Sequence, residues 1–115
     1  MKWYRFRQNN SEGRHKEPAH DVFIEAPNDC YANAIAIYYE LYFDGCHNGI
    51  DCKCCGDRWF KASPRDAYDW EVIKNHIAWN RPNLKDDNNL PLVAFAALGK
   101  ELVFSVQDVE KNAQS

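Results

Sequence analysis

The chain has 115 residues, 45% of them hydrophobic and 14% aromatic, with 17 acidic against 14 basic side chains and a formal charge of −3. A chain of that length buries roughly two-thirds of the surface it exposes when unfolded, enough for one core and one domain, and the composition excludes a disordered chain. The mild acidic balance argues against a dedicated nucleic-acid binder, which carries a basic face, and is too small for a DNA mimic.

Residues 2–8 predict a strand, because Tyr4 and Phe6 alternate with Trp3, Arg5 and Arg7 at a period of two. Tyr4 and Phe6 are assigned to the core. Trp3, Arg5 and Arg7 share the other face, which either offers a ring and two cations to an acidic partner or nucleic acid, or is the solvated side of an edge strand. Residues 9–18 read as a polar loop. A second strand follows at about 20–26, with Val22 and Ile24 on one face and Phe23 on the other. Pro27-Asn28-Asp29 is a helix start with Asn28 as the cap. Ala32, Ile35, Ala36 and Tyr39 then recur at helical spacing to about Glu40. Cys30 opens that helix, where a thiolate would be stabilised, although the plainer reading is a buried packing cysteine.

Leu41-Tyr42-Phe43 reads as extended and buried, and Asp44-Gly45 and Asn48-Gly49 are two turn signals in succession. Trp59–Ala62 predicts a short strand. Ser63-Pro64-Arg65-Asp66 predicts the start of a second helix, 64–79, with Trp70, Ile73 and Ile77 as its apolar stripe and Arg81-Pro82 as its end. Residues 83–90 are polar. Residues 91–98 and 101–106 flank Gly99-Lys100 as a hairpin, and 107–115 read as a polar, frayed tail. The expected architecture is a single α+β domain over 1–106, with a mostly antiparallel sheet of about five strands, two helices and a cysteine-rich turn. Its core is assigned to Tyr4, Phe6, Val22, Ile24, Ile35, Tyr39, Phe43, Trp70, Ile73, Phe95 and Phe104. The run 91–98 is apolar on both faces, which predicts cover from both sides or a homodimer through the terminal hairpin or the second helix.

The densest chemistry lies in Asp51-Cys52-Lys53-Cys54-Cys55-Gly56-Asp57-Arg58-Trp59. Cys52-x-x-Cys55-Gly56 has zinc-knuckle spacing, in which two thiolates bind one metal over a tight glycine turn. Structural zinc needs four ligands. Cys46 or His47 could complete the set from across the Asn48-Gly49 turn, with Cys54 or His76 as further candidates. The plainer reading is three reduced thiols packed in a constrained turn, and redox or catalytic thiol use is a third. Asp57 could hold Arg58 in a bidentate pair beside a core Trp59. Alternatively, Arg58 could meet an anionic ligand, such as a nucleotide, while an aromatic ring stacks on its base. Trp3, Arg5, Arg7, Arg58 and Trp59 are therefore the candidate ligand- or partner-binding residues. No Ser or Asp constellation surrounds His20 or His76 as a general base, so the sequence points away from an enzyme.

The stretch Trp3-Tyr4-Arg5-Phe6 with Gln8-Asn9-Asn10-Ser11, then Ala32-Asn33, Ile35-Ala36, Tyr42-Phe43-Asp44-Gly45, Asn48-Gly49, Asp51-Cys52 and Cys54-Cys55-Gly56-Asp57-Arg58-Trp59, resembles a family of small uncharacterised bacteriophage proteins of the marine and cyanobacterial phage type. The resemblance implies a phage origin and a host-cytoplasmic setting, and carries no activity with it. The chain has no apolar run long enough to span a bilayer and opens without the apolar stretch of a secretion signal, which also predicts a cytosol. There its five cysteines are thiols or metal ligands and not disulfides. Two functions are expected from this. The first is a non-enzymatic binding module acting on a host or phage macromolecule, in host takeover or against host defence. The second is a nucleotide or small-ligand binder, or an enzyme, that uses the cysteine turn with Asp57 and Arg58.

Overall fold

The first two apolar runs pair side by side. In the computed structural model, which describes residues 1–9, 15–51, 53, 56–77 and 85–113, β1 (Lys2–Arg7) and β2 (Asp21–Ala26) are antiparallel, with Tyr4 opposite Ile24 and Phe6 opposite Val22. β3 (Ala67–Tyr68) joins the free edge of β1 antiparallel. β4 (Val93–Ala97) joins β2 in parallel, so the chain is α+β with a four-stranded mixed sheet in the order β3-β1-β2-β4.

The helix after β2 forms as its cap predicts. α1 (Asp29–Tyr38) begins where the Tyr31 N–H donates to Asn28 Oδ1 at 2.8 Å. Ala32 and Ala36 are fully buried under it, and their small size lets the helix lie close on the sheet. Cys30, expected to be buried, is exposed on the outer side of the first turn.

The second predicted helix is broken. Ser63 and Asp66 do bond, with the Ser63 N–H donating to Asp66 Oδ2 at 2.8 Å. They close only a 3₁₀ turn, Pro64–Asp66. Ala67 and Tyr68 then become β3, because the open edge of β1 offers backbone partners that a continuous helix would forgo. Helical structure resumes as α2 (Trp70–Val72) and runs into a π-helical stretch, Ile73–Ile77. Trp59–Ala62 is not a strand. Ala62 instead pairs its backbone with the Asn33 side chain of α1, through N–H to Oδ1 at 2.7 Å and C=O from Nδ2 at 3.1 Å.

The terminal hairpin shrinks to one bridge, Phe95 with Val103, and the residues read as a tail form α3 (Val106–Ala113). Ser105 Oγ accepts the Asp108 N–H at 3.1 Å as its cap. This helix explains why Val93–Ala97 is apolar on both faces, since the sheet is covered on both within one chain. On one face Tyr4, Phe6, Val22, Ile24, Ala94 and Ala96 meet α1, Leu41, Phe43 and Trp59. On the other, Trp3, Phe23, Val93 and Phe95 meet Ile73, Val106 and Val109. Ile35, Tyr39 and Trp70 are half-buried, and Phe104, assigned to the core, is exposed because strand pairing stops at Val103.

Candidate functional site

Asp57 and Arg58, described residues of the cysteine run, lie at the end of the sheet where β1 stops. Gln8 and Asn9, the residues after β1, reach across to them. The Asn9 N–H donates to the Arg58 carbonyl at 2.7 Å, and Asn9 Nδ2 donates to the Asp57 carbonyl at 3.2 Å. Gln8 is used at both ends. Its Oε1 accepts from Arg58 Nη1 at 3.0 Å and from the Lys16 N–H at 2.8 Å, while its Nε2 donates to the carbonyls of Lys16 and Ala19. One amide thus ties the cysteine turn to the β1–β2 connection.

Asp51 is the hub of the turn. Its carboxylate accepts the Arg58 backbone N–H at 2.8 Å and the Tyr42 hydroxyl at 3.0 Å, and lies 4.0 Å from Arg58 Nε. The two side chains are only 2% and 3% exposed, so this is a buried charge pair. The closeness demands glycine at position 45, where a Cβ would land on the Asp51 carboxylate and the Tyr42 ring. Gly45 also accepts the Ile50 and Asp51 N–H groups at 2.8 and 3.0 Å, which closes the 45–51 loop on itself.

The expected Asp57–Arg58 pair is therefore replaced by Asp51–Arg58. Neighbouring side chains in extended backbone diverge, so Asp57 points elsewhere. Its Oδ1 accepts the Cys46 N–H at 2.9 Å. Cys46 is half-buried and His47 exposed. Cys52, Cys54 and Cys55 lie outside the described residues, as does the side chain of His76. Among the described residues, no group of three or more His, Cys, Asp or Glu is placed to share a metal ion.

The proposed binding residues are mostly interior. Trp3 is 4% exposed and packs on Trp70 and Phe95, with ring centroids 5.1 and 6.1 Å apart. Arg5 lies over the Phe23 ring and contacts Asp21 at 3.3 Å. Trp59 is part of the main core. Only Arg7 of the five is exposed.

A second polar cluster adjoins the first. His20 Nε2 bonds Asp86 Oδ2 at 2.8 Å, and the His15 ring stacks on His20 at 3.6 Å. Burial, then the His20 charge, holds the His15 imidazole below its usual range, with Arg58 adding and with Asp86 and Asp21 opposing. Asp86 is lowered chiefly by its bond from His20 and then by the Leu90 N–H, consistent with its role as the cap of the 86–90 turn. This cluster carries no sequence signal, because His20 and Asp86 are far apart in the chain and neither belongs to a recognisable motif.

The exposed apolar side chains gather elsewhere. On the outer face of α1, Tyr38 is 77%, Ile37 60% and Tyr31 52% exposed. Tyr31, Ile35 and Tyr38 line a shallow depression with Gly99, and Tyr38 and Tyr39 share a groove with Leu102 and Phe104. The Tyr39 hydroxyl donates to the Lys100 carbonyl, which joins the helix to the turn after β4. This surface went unread in the sequence, because Tyr31, Ile37 and Tyr38 lie outside the stripe that faces the sheet.

The chain belongs to the family described as a domain of unknown function (DUF7296), whose model matches residues 1–104. That span takes in the whole sheet, α1 and the cysteine turn, and ends just before α3. No curated protein and no solved structure matches the chain.

Proposed function

We propose that this member of a family of unknown function is a phage accessory protein that works in the host cytoplasm by binding a host or phage macromolecule, without chemistry of its own. The observation that carries the reading is the aromatic surface of α1, with Tyr31, Ile37 and Tyr38 more than half exposed and Tyr38 sharing a groove with Phe104. Large side chains on one rigid helix are what protein interfaces are built from, and tyrosine is enriched where such interfaces draw their energy. The motif supports the same view from the opposite direction. Asp51, Arg58 and Trp59 hold the molecule together from inside, and Asp57 holds the Cys46 amide. An enzyme or nucleotide site on the cysteine turn would have to draw on the buried Arg58.

The test is capture from infected host cells with immobilised protein. A partner retained by the wild type and lost from the Tyr31→Ala/Tyr38→Ala variant, itself equally stable, supports the reading. Identical capture by both forms overturns it.

Structural zinc in the turn is a part of the proposal, with Cys52 and Cys55 as the ligand pair and Cys46 as the helper. Support comes from the 2.9 Å bond between the Cys46 N–H and Asp57, which holds position 46 beside a residue two along the chain from Cys55. Bound zinc would contribute to folding directly. Metal analysis of untagged protein, with Cys52→Ser as control, should find zinc in the wild type and none in the variant. Metal-free wild-type protein whose melting ignores chelator would remove zinc from the account.

A further inference from the structure

The second face of the sheet carries a cleft lined, among the described residues, by none from the cysteine turn. Its volume is about 520 Å³, within the range of small-molecule sites. The floor is three side chains in register across the sheet: Trp3 on β1 stands opposite Glu25 on β2, and Glu25 beside Ala97 on β4. Trp70 forms one wall and Val109 of α3 contributes to the other, with Leu98 at the lip. The Trp70 ring is held from two sides, tilted on Trp3 and edge-on to Phe95 at 5.6 Å, so the aromatic wall is rigid.

The charges of the cleft are unequally satisfied. Lys74 from the π-helical stretch pairs with Glu110 of α3 at 3.0 Å, across the mouth between the two helical segments. Glu71 accepts from Asn75, and Lys100 sits exposed at the rim. Glu25 is different. It is half-buried on an apolar floor, and no hydrogen bond or ion pair from another described residue reaches its carboxylate. A partly desolvated carboxylate between tryptophan and alanine favours a cation and repels an anion, and a rigid indole face adds a cation–π attraction.

We propose that this cleft binds a small organic cation, an ammonium or guanidinium carried on a flat apolar body. Glu25 supplies the counter-charge, Trp70 the stacking wall, and the Lys74–Glu110 pair bridges the helical segments that enclose the site. The inference is independent of the α1 surface and of the metal content of the turn.

Phenethylamine is the probe, with phenethyl alcohol and 3-phenylpropionate as its neutral and anionic analogues. Binding is followed through the indole N–H signals of Trp3 and Trp70 by NMR. Phenethylamine should shift both signals saturably, and the two analogues should bind about tenfold more weakly or worse, the difference one charge contact makes. Glu25→Gln, close in shape, should weaken phenethylamine about tenfold and leave the alcohol unchanged. Equal binding of all three probes, an unchanged affinity in Glu25→Gln, or no saturation by about 10 mM amine would overturn the proposal.

Discussion

Two regions of this molecule use polar and apolar residues in opposite ways. At the cysteine turn, charged and amide side chains are inside: Asp51 and Arg58 are buried, and Gln8 spends both ends of its amide on neighbours. On α1 the largest apolar and aromatic side chains are outside, with Tyr38 almost fully in solvent. The first arrangement is costly unless every group is satisfied, and it fixes one geometry. The second adds nothing to a monomer and has value once another surface covers it. The contrast teaches that the most conspicuous motif of a sequence can be its scaffold, while the apolar surface left open lies on a helix face that carries no motif at all.

Removing a partner from the buried pair should have the largest effect. Arg58→Ala leaves the Asp51 carboxylate buried without its counter-charge and should cost about 3–5 kcal/mol of stability, measured by urea unfolding. Arg58→Lys should recover only part of this, since an ammonium cannot reproduce the fixed guanidinium geometry toward Gln8. A cost under about 1 kcal/mol, typical of exposed pairs, would mean the network contributes no more than a surface ion pair does.

Next in size is Gly45→Ala. A methyl group there collides with Asp51 and Tyr42, and the overpacking should cost about 1–3 kcal/mol. Gly49→Ala sharpens the comparison. Nothing lies within 4 Å of its Cβ position, so only the positive φ of +78° resists the change, at about 1–2 kcal/mol. Equal and negligible costs at both glycines would count against the tight 45–51 loop.

A smaller effect should appear with pH. His15 is held below its usual range mainly by burial and then by His20, so the folded state prefers the neutral ring. Its contribution is therefore complete above the unfolded value of 6.5 and is lost as pH falls from there through the folded value. Asp86, lowered by His20, acts in a separate window: its contribution is present above 3.8 and is lost as pH falls further. His15→Gln should flatten the stability profile just below neutrality and leave the acid limb in place. An unchanged slope near neutrality in that variant would show that His15 does not titrate with folding.

Much of the first half of the fold was legible because its signals are local. Asn28 caps α1 as the Pro27-Asn28-Asp29 sequence says, and the alternation in Tyr4–Phe6 and in Val22–Ile24 marks the faces that the paired β1 and β2 turn to the core. The second half was not, because tertiary partners decide it. Tyr68 leaves helix for strand to pair with Trp3. Trp3 looked solvated because two arginines share its face, and the cover over it comes from Trp70 and from α3. In α3, Val106 and Val109 face inward from a largely polar sequence. The turn showed that positions 51–59 were constrained, but not that Asp51, rather than the adjacent Asp57, meets Arg58. Nor could any pattern place Gln8 on Arg58, since the contact spans 50 positions of the chain.

The central claim is that the motif builds the molecule and the α1 surface serves a partner. Side-by-side urea unfolding of Asp51→Ala and Tyr38→Ala tests it most directly. The account predicts a loss of about 3–5 kcal/mol for Asp51→Ala, a buried pair broken, and a change within about 0.5 kcal/mol for Tyr38→Ala, a surface truncation. Unchanged stability in Asp51→Ala together with a large loss in Tyr38→Ala would contradict it.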